Sequence, residues 1–242
     1  MIRTKYFSSA IASRLSAVFM LSTLVACSGG ESQSSSDRIT ALEQQLSDSL
    51  QRLQLLEDRN EIINLQRIYG YYLDKAQFNQ LIGLFTEDIS LEYSGRGIYL
   101  GKDRARNLMN VMPGGDAQGF GEGMLQNHIQ IGGVVHVDDD GLHAKGRWRA
   151  LIMMGFADGT GAWQEGIYEN EYRKENNVWA ISKVHFFINV NADKPDGFMS
   201  PGTMPRLDES NPPDMPPTYQ YDPYPANFLP PYHFENPVTG GQ

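Results

Sequence analysis

The sequence contains one cysteine, Cys27, so no disulfide can form within the chain and a framework of bridges is excluded as a source of stability. Basic residues are scarce: 20 Lys and Arg stand against 29 Asp and Glu, for a net charge of −9. Phosphate backbones are gripped by Lys/Arg clusters, so this balance argues against nucleic acid as a partner. It argues equally against electrostatic docking on anionic lipid. Beyond the N-terminal 26 residues, no apolar run approaches the roughly 20 residues that cross a bilayer. Metal-site patterns are missing as well. There is no HExxH, no Cys/His cluster and no pair of His ligands, so no metal or other cofactor is expected. Asp138-Asp139-Asp140 lacks the spaced oxygens and distant Glu of a calcium loop and reads as a solvated turn. Gly119, Gly121 and Gly123 open no strand–helix phosphate loop, and no GxSxG nucleophile motif is present.

What is present divides the chain into four parts. Residues 1–26 read as a signal peptide, with Arg3, Lys5 and Arg14 ahead of a short apolar core from Leu15 to Ala26. The core ends in Leu24-Val25-Ala26-Cys27-Ser28-Gly29, which resembles a bacterial lipoprotein signal. That resemblance implies cleavage before Cys27, lipidation of Cys27, and a periplasm-facing lipoprotein; Ser28 rather than Asp after the cysteine implies the outer membrane. Cleavage would leave 17 basic against 29 acidic residues. The acyl chain would then be the membrane contact.

Residues 27–57 form a tether and stalk. Ser28 to Ser36 are rich in Ser, Gly and Gln, as in flexible linkers. Ile39, Leu42, Leu46, Leu53 and Leu56 then recur at three- and four-residue steps, with Ser49 in the seam. Two to three heptads fit either a short coiled coil or a single amphipathic helix packed on the domain. At the other end, 12 of the 13 prolines lie from Pro195 onward, mixed with Tyr219, Tyr221, Tyr224, Phe228, Tyr232 and Phe234. Such proline density excludes helix and central strand from residues 191–242. The aromatics predict an extended tail lying on a surface: its own barrel, a neighbouring subunit or a partner.

Between these parts, residues 58–190 alternate in signal. Helical spacing runs over 58–76, a second short helix over 77–87, and a third from Lys102 to Met112. Ile89–Tyr93 and Ile98–Leu100 flank Gly95-Arg96-Gly97 as a hairpin. Four long strands follow: 124–137, 142–154, 162–174 and 178–190. Asp139-Asp140-Gly141 joins the first pair and Glu175-Asn176-Asn177 the second. Helices followed by an antiparallel meander make an α+β fold, a curved antiparallel sheet wrapped around the N-terminal helices as a cone with one mouth. Alternation along each strand groups the side chains. His128 shares a face with Gln126, Gln130 and His136. Trp148 groups with Ala150, Ile152 and Met154. Trp163 and Glu165 oppose Gln164, Tyr168 and Tyr172. In the last strand either the Val184/Phe186/Ile188 set or the His185/Phe187 set faces inward.

Three stretches carry a family resemblance: Asp58-Arg59-Asn60-Glu61-Ile62-Ile63 opening the helix, Leu84-Phe85-Thr86-Glu87-Asp88 closing the next, and Glu171-Tyr172-Arg173-Lys174 through Val178-Trp179. With them the segment 58–190 resembles the SnoaL-like branch of the NTF2-like superfamily, whose members include scytalone, lindane and bile-acid lyases. The resemblance implies the same cone, a frequent trimer or dimer, and a catalytic dyad of an Asp after the first helix and a His on the third strand. Asp74 and His128 fall on those positions. His128 would serve as acid/base and Asp74 would orient its other ring nitrogen. Tyr93 resembles the catalytic tyrosine of the scytalone enzyme, and Tyr69 the helix tyrosine of the bile-acid enzyme. A second strand histidine of the scytalone enzyme is replaced here by Trp163, Gln164 and Glu165. Tyr72, Trp148, Trp163 and Glu165 are expected as the substrate-binding wall. The expected activity is cofactor-independent elimination or isomerisation of a small hydrophobic cyclic compound. The alternative is a carrier or sensor of hydrophobic molecules.

Overall fold

The computed structural model describes residues 31–112, 114–115, 119–194, 204–205 and 209–239. Cys27 and the signal segment lie outside the described residues. The chain divides after Asp48 into two compact units. Helix α1, Glu31–Asp74, begins in the first and ends in the second. It starts within the stretch expected to be a tether. Each serine costs a helix only a fraction of a kcal/mol relative to alanine, roughly 0.5, too little to stop one once it is nucleated. Ile39, Leu42 and Leu46 in the first unit, and Leu50, Leu53 and Leu56 in the second, are all more than half exposed. From Ile62 the pattern changes, and Ile62, Leu65, Tyr69 and Leu73 are all buried. Their three- and four-residue spacing is the core-facing stripe of a helix.

The second unit is a six-stranded curved sheet around the end of α1. After α2, Phe78–Ile82, the strands are β1 (Phe85–Tyr93), β2 (Ile98–Leu100), β3 (Met124–Val137), β4 (His143–Phe156), β5 (Gly161–Glu175) and β6 (Val178–Lys194). Helix α3, Lys102–Asn110, lies between β2 and β3 in sequence. The strand order is β2-β1-β6-β5-β4-β3. All neighbours pair antiparallel except β1 and β6, which run parallel. The second helix is shorter than its sequence suggests, because Phe85 to Asp88 belong to β1. Phe85 pairs with Ile181 and is buried, and the cross-strand pairing overrides a weak local helical signal. Between β5 and β6 only Asn176 and Asn177 remain, with φ of 51° and 62°. Two left-handed residues make the tight hairpin turn that asparagine tolerates.

Bulges decide which side chains face inward. The β3–β4 register slips between Ile131 and Val134. An extra residue flips the alternation beyond it, so Val135 is buried while His136 is exposed. His136 therefore does not share His128's face; it reaches the tail instead, its Nδ1 3.1 Å from His233 Nε2. On β5 the even-numbered face is the core face, with Tyr168, Asn170 and Tyr172 fully buried. On β6, Val184, Phe186 and Ile188 join the central core.

Two of the sequence stretches quoted above meet at a buried pin. Asp58 of α1 is 1% exposed. It accepts hydrogen bonds from Trp179 Nε1 at 3.1 Å, from Gln54 Nε2 at 3.2 Å and from the ammonium of Lys174. Burial pushes its carboxyl up, but these donors outweigh burial and hold it below the usual carboxylate range. The motif thus fastens the helix to the β5–β6 hairpin.

The described parts of the tail lie on the outer face of the same sheet. Ile98 N donates to Met215 O at 2.9 Å, and Thr218 donates through N and Oγ1 to the buried Glu92 at 2.6 and 2.7 Å. Tyr219, Tyr221 and Phe228 pack their rings 5.7 to 6.1 Å from Phe187. Strand β6 is consequently buried on both faces, Phe186 toward the core and Phe187 under the tail. The tail covers its own barrel.

Candidate active site

Strand β3 is an edge of the sheet, so half of its backbone N–H groups find no strand partner. The C-terminal end of α1 meets this edge at two points. The carboxylate of Asp74, the last residue of the helix, accepts the backbone N–H of His128. Gln126 Nε2 donates to the Leu73 carbonyl at 3.2 Å. Burial raises the Asp74 pKa, partly offset by that N–H and by Lys75. Asp74 and His128 are thus brought together, but by a different contact from the one expected. Asp74 holds the backbone of His128, and the described hydrogen bond to its ring comes from Tyr168.

Tyr168 lies on the inward face of β5, its hydroxyl 2.9 Å from His128 Nε2. Both residues are buried. Without water to solvate an imidazolium, the His128 pKa is lowered to about 3, so the ring is neutral at pH 7. A neutral imidazole keeps one nitrogen lone pair, the requirement for accepting a proton. Opposite, the hydroxyls of Tyr69 from α1 and Tyr93 from β1 hydrogen-bond to each other. Burial raises both phenols above their ordinary range, leaving them protonated donors. Tyr69 also hydrogen-bonds Tyr168. Four ring groups, Tyr93, Tyr69, Tyr168 and His128, therefore form one linked series from a donor pair to a base.

Beside this series is a cavity of about 200 Å³. Tyr93, His128 and Tyr168 contribute directly to its wall, while Tyr69 stands behind Tyr93. Leu73, Phe78, Ile152, Phe186 and Ile188 make it largely apolar, and Gln126, Gln164, Ser94 and Arg96 add polar points. An apolar cavity of roughly 150 Å³ is enough to take up benzene, so there is room for a compact ring compound. Among the described residues, no group of three or more His, Cys, Asp or Glu side chains is arranged to hold a metal.

The residues expected as the binding wall lie elsewhere. Trp163 and Glu165 occupy the opposite face of β5 from Gln164 and Tyr168, and neither lines the cavity. Glu165 instead accepts a hydrogen bond from Asn189 Nδ2 at 3.0 Å. Trp148 faces inward but sits deeper in the core, donating Nε1 to Tyr172 Oη at 2.9 Å. Tyr72 is half-buried against the core and off the cavity wall. Sequence reasoning missed Tyr168, Gln126, Gln164, Phe186 and Arg96. The face of β5 was legible from composition: Glu165, Glu169 and Glu171 share one side and Tyr168 and Tyr172 the other, so the aromatic side turns in.

Comparison with known proteins fits this architecture. The family model for the SnoaL-like domain matches residues 54–185. A candidate scytalone dehydratase from Novosphingobium aromaticivorans superposes with a TM-score of 0.50 at 18% identity, over 58% of this chain and 89% of that one. A type-2 hexachlorocyclohexane dehydrochlorinase gives 0.51 at 20% identity, over 62% and 97%. The type-3 enzyme from Novosphingobium barchaimii gives 0.50 at 19%, over 62% and 99%. At such identities the likeness speaks to fold. No curated protein matches the chain. The matched segment exceeds half of the chain and contains Asp74 and His128, and the protein belongs to the SnoaL-like domain family.

Proposed function

We propose that this domain is a cofactor-independent lyase or isomerase acting on a small, mostly apolar cyclic compound bound in the cavity. One observation carries the reading: a neutral histidine, partnered on its ring by Tyr168, faces a cavity whose wall also presents the Tyr93 hydroxyl. His128 takes a proton from carbon, or from the substrate atom that initiates elimination. The Tyr69–Tyr93 pair donates to the oxygen on which charge develops. Asp74 fixes the strand position of His128 by accepting its backbone N–H. Acid–base catalysis of this kind contributes about 10²–10⁴-fold, and oxyanion donors in a dry site a comparable factor. The scytalone dehydratase and dehydrochlorinase neighbours, as described, perform eliminations, which supports the same reaction class here. Replacing His128 by Ala abolishes conversion while the cavity still binds; unaltered conversion would overturn the reading.

The setting we propose is the periplasmic face of the outer membrane, with Cys27 lipidated and α1 as the stalk. The lipoprotein-like signal and the absence of a membrane-crossing helix among the described residues support it. The exposed stripe of Ile39, Leu42, Leu46, Leu50, Leu53 and Leu56 supports self-association through the stalk as a dimer or trimer.

A further inference from the structure

Arg96 is the one charged side chain that the described cavity wall offers besides the neutral His128. It lies in the one-turn helix Ser94–Arg96 that links β1 to β2, and it is partly shielded from solvent. No carboxylate shares the cavity wall, and among the described residues Arg96 forms no ion pair. A guanidinium held at the edge of an apolar cavity without a counter-ion is costly unless a ligand supplies one.

The turn that presents Arg96 is held firmly. Ser94 has a φ of 54° and Gly97 of 95°, both left-handed. The tail closes over the two glycines that flank Arg96. A Cβ on Gly95 would come within 2.6 Å of Met204 Cγ, and one on Gly97 within 2.6 Å of Met215 O. Ser94 Oγ donates to the Phe186 carbonyl at 3.3 Å, tying the turn to the cavity-lining strand. Asp214 of the tail accepts from Leu100 N at 2.9 Å just beyond it. Pro205, also from the tail, lines the cavity itself. The tail therefore meets the site at Pro205 and packs over the glycines on either side of Arg96.

We infer that the substrate of this site is a monoanion, a compact ring compound bearing one carboxylate, and that Arg96 binds that carboxylate and selects for it. The inference rests on the reading of this cavity as the binding site and adds the chemical class of its occupant. The planar fork of a guanidinium matches a carboxylate in two parallel hydrogen bonds. A single cation in an otherwise apolar wall suits one negative charge rather than a phosphate's two. The rest of the protein works against anions, since its net charge is −9. Preference for an anion must therefore arise locally. Arg96 also lies close enough to Tyr93 to favour its charged form slightly against burial. The bound carboxylate and the donor pair consequently sit at the same end of the cavity.

The test is calorimetric titration of the full chain with benzoate and with benzamide, which share a ring and differ in charge. At pH 7 the parent binds benzoate at least about 10-fold more tightly, the scale of one charged hydrogen-bonded contact. Added salt weakens benzoate binding and leaves benzamide unchanged. Arg96→Gln removes the preference while retaining benzamide binding, which shows that the cavity is still formed, and Arg96→Lys restores part of it. Equal affinities in the parent, or a preference that survives Arg96→Gln, would overturn the inference and leave the cavity reading standing. Binding of neither compound by the parent would overturn both.

Discussion

A histidine sealed among aromatic rings resists protonation, and that resistance is measurable without a substrate. The His128 pKa is about 3 in the folded protein against 6.5 in the unfolded chain. Between these values the unfolded state holds the proton and the folded state does not, so stability falls as pH falls through that window. One such group changes stability by up to about 1.4 kcal/mol per pH unit. Melting temperatures followed from pH 7 to pH 4 should therefore decline more steeply for the parent than for His128→Gln. Parallel declines would show that the ring is open to water. At this scale the site was partly legible in the sequence. Asp74 and His128 were legible because they fall on the family's dyad positions, an Asp after the first helix and a His on the third strand. Tyr168 was not, because its meeting with the His128 ring depends on the register of β3, β4 and β5 and not on composition alone. The contact of Asp74 with the backbone rather than the ring was equally out of reach, since it follows from strand β3 being an edge.

The elements owe their placement to a few long-range contacts. Asp58 joins the helix to Lys174 and Trp179, more than 100 residues away in sequence. Removing one partner of a buried, hydrogen-bonded charge costs about 3–5 kcal/mol, because the other remains buried and unpaired. Asp58→Ala should lower stability by about 3 kcal/mol, or roughly 6–12 °C for a domain of this size, in a thermal melt. A change under 1 °C would mean that the pin is not structural. Helix α1 and strands β3 to β6 were readable because each is long, and all but β6, which is buried on both faces, are one-sided. The start of β1 was not, since its first residues carry a weak helical pattern and are strand only by pairing with β6. The face assignment along β3 failed at His136 for a comparable reason. An extra residue near Gly132 and Gly133 reverses the alternation, and nothing in the local sequence measures the partner strand's register.

Across the whole molecule, the setting we propose is that of a lipid-tethered domain handling a small molecule near a membrane. The anchor is tested by fractionation: the parent should sediment with membranes and take up labelled palmitate, whereas Cys27→Ser should do neither. Palmitate uptake by Cys27→Ser would contradict lipidation at that residue. The tail was legible as an extended aromatic segment from its prolines. That it reaches the cavity at Pro205 was not, because this depends on how glycines at 95 and 97 meet Met204 and Met215. The central claim is that His128 performs chemistry in this cavity. Its most direct test is incubation of the full chain, and of His128→Ala, with a lipophilic extract of the cells that make it, followed by mass spectrometry of both mixtures. If His128 does so, a compound loses water or another small leaving group, or isomerises at unchanged mass, only with the parent protein. Identical products from both, with the same compound retained by both, would contradict that claim and identify the protein as a carrier.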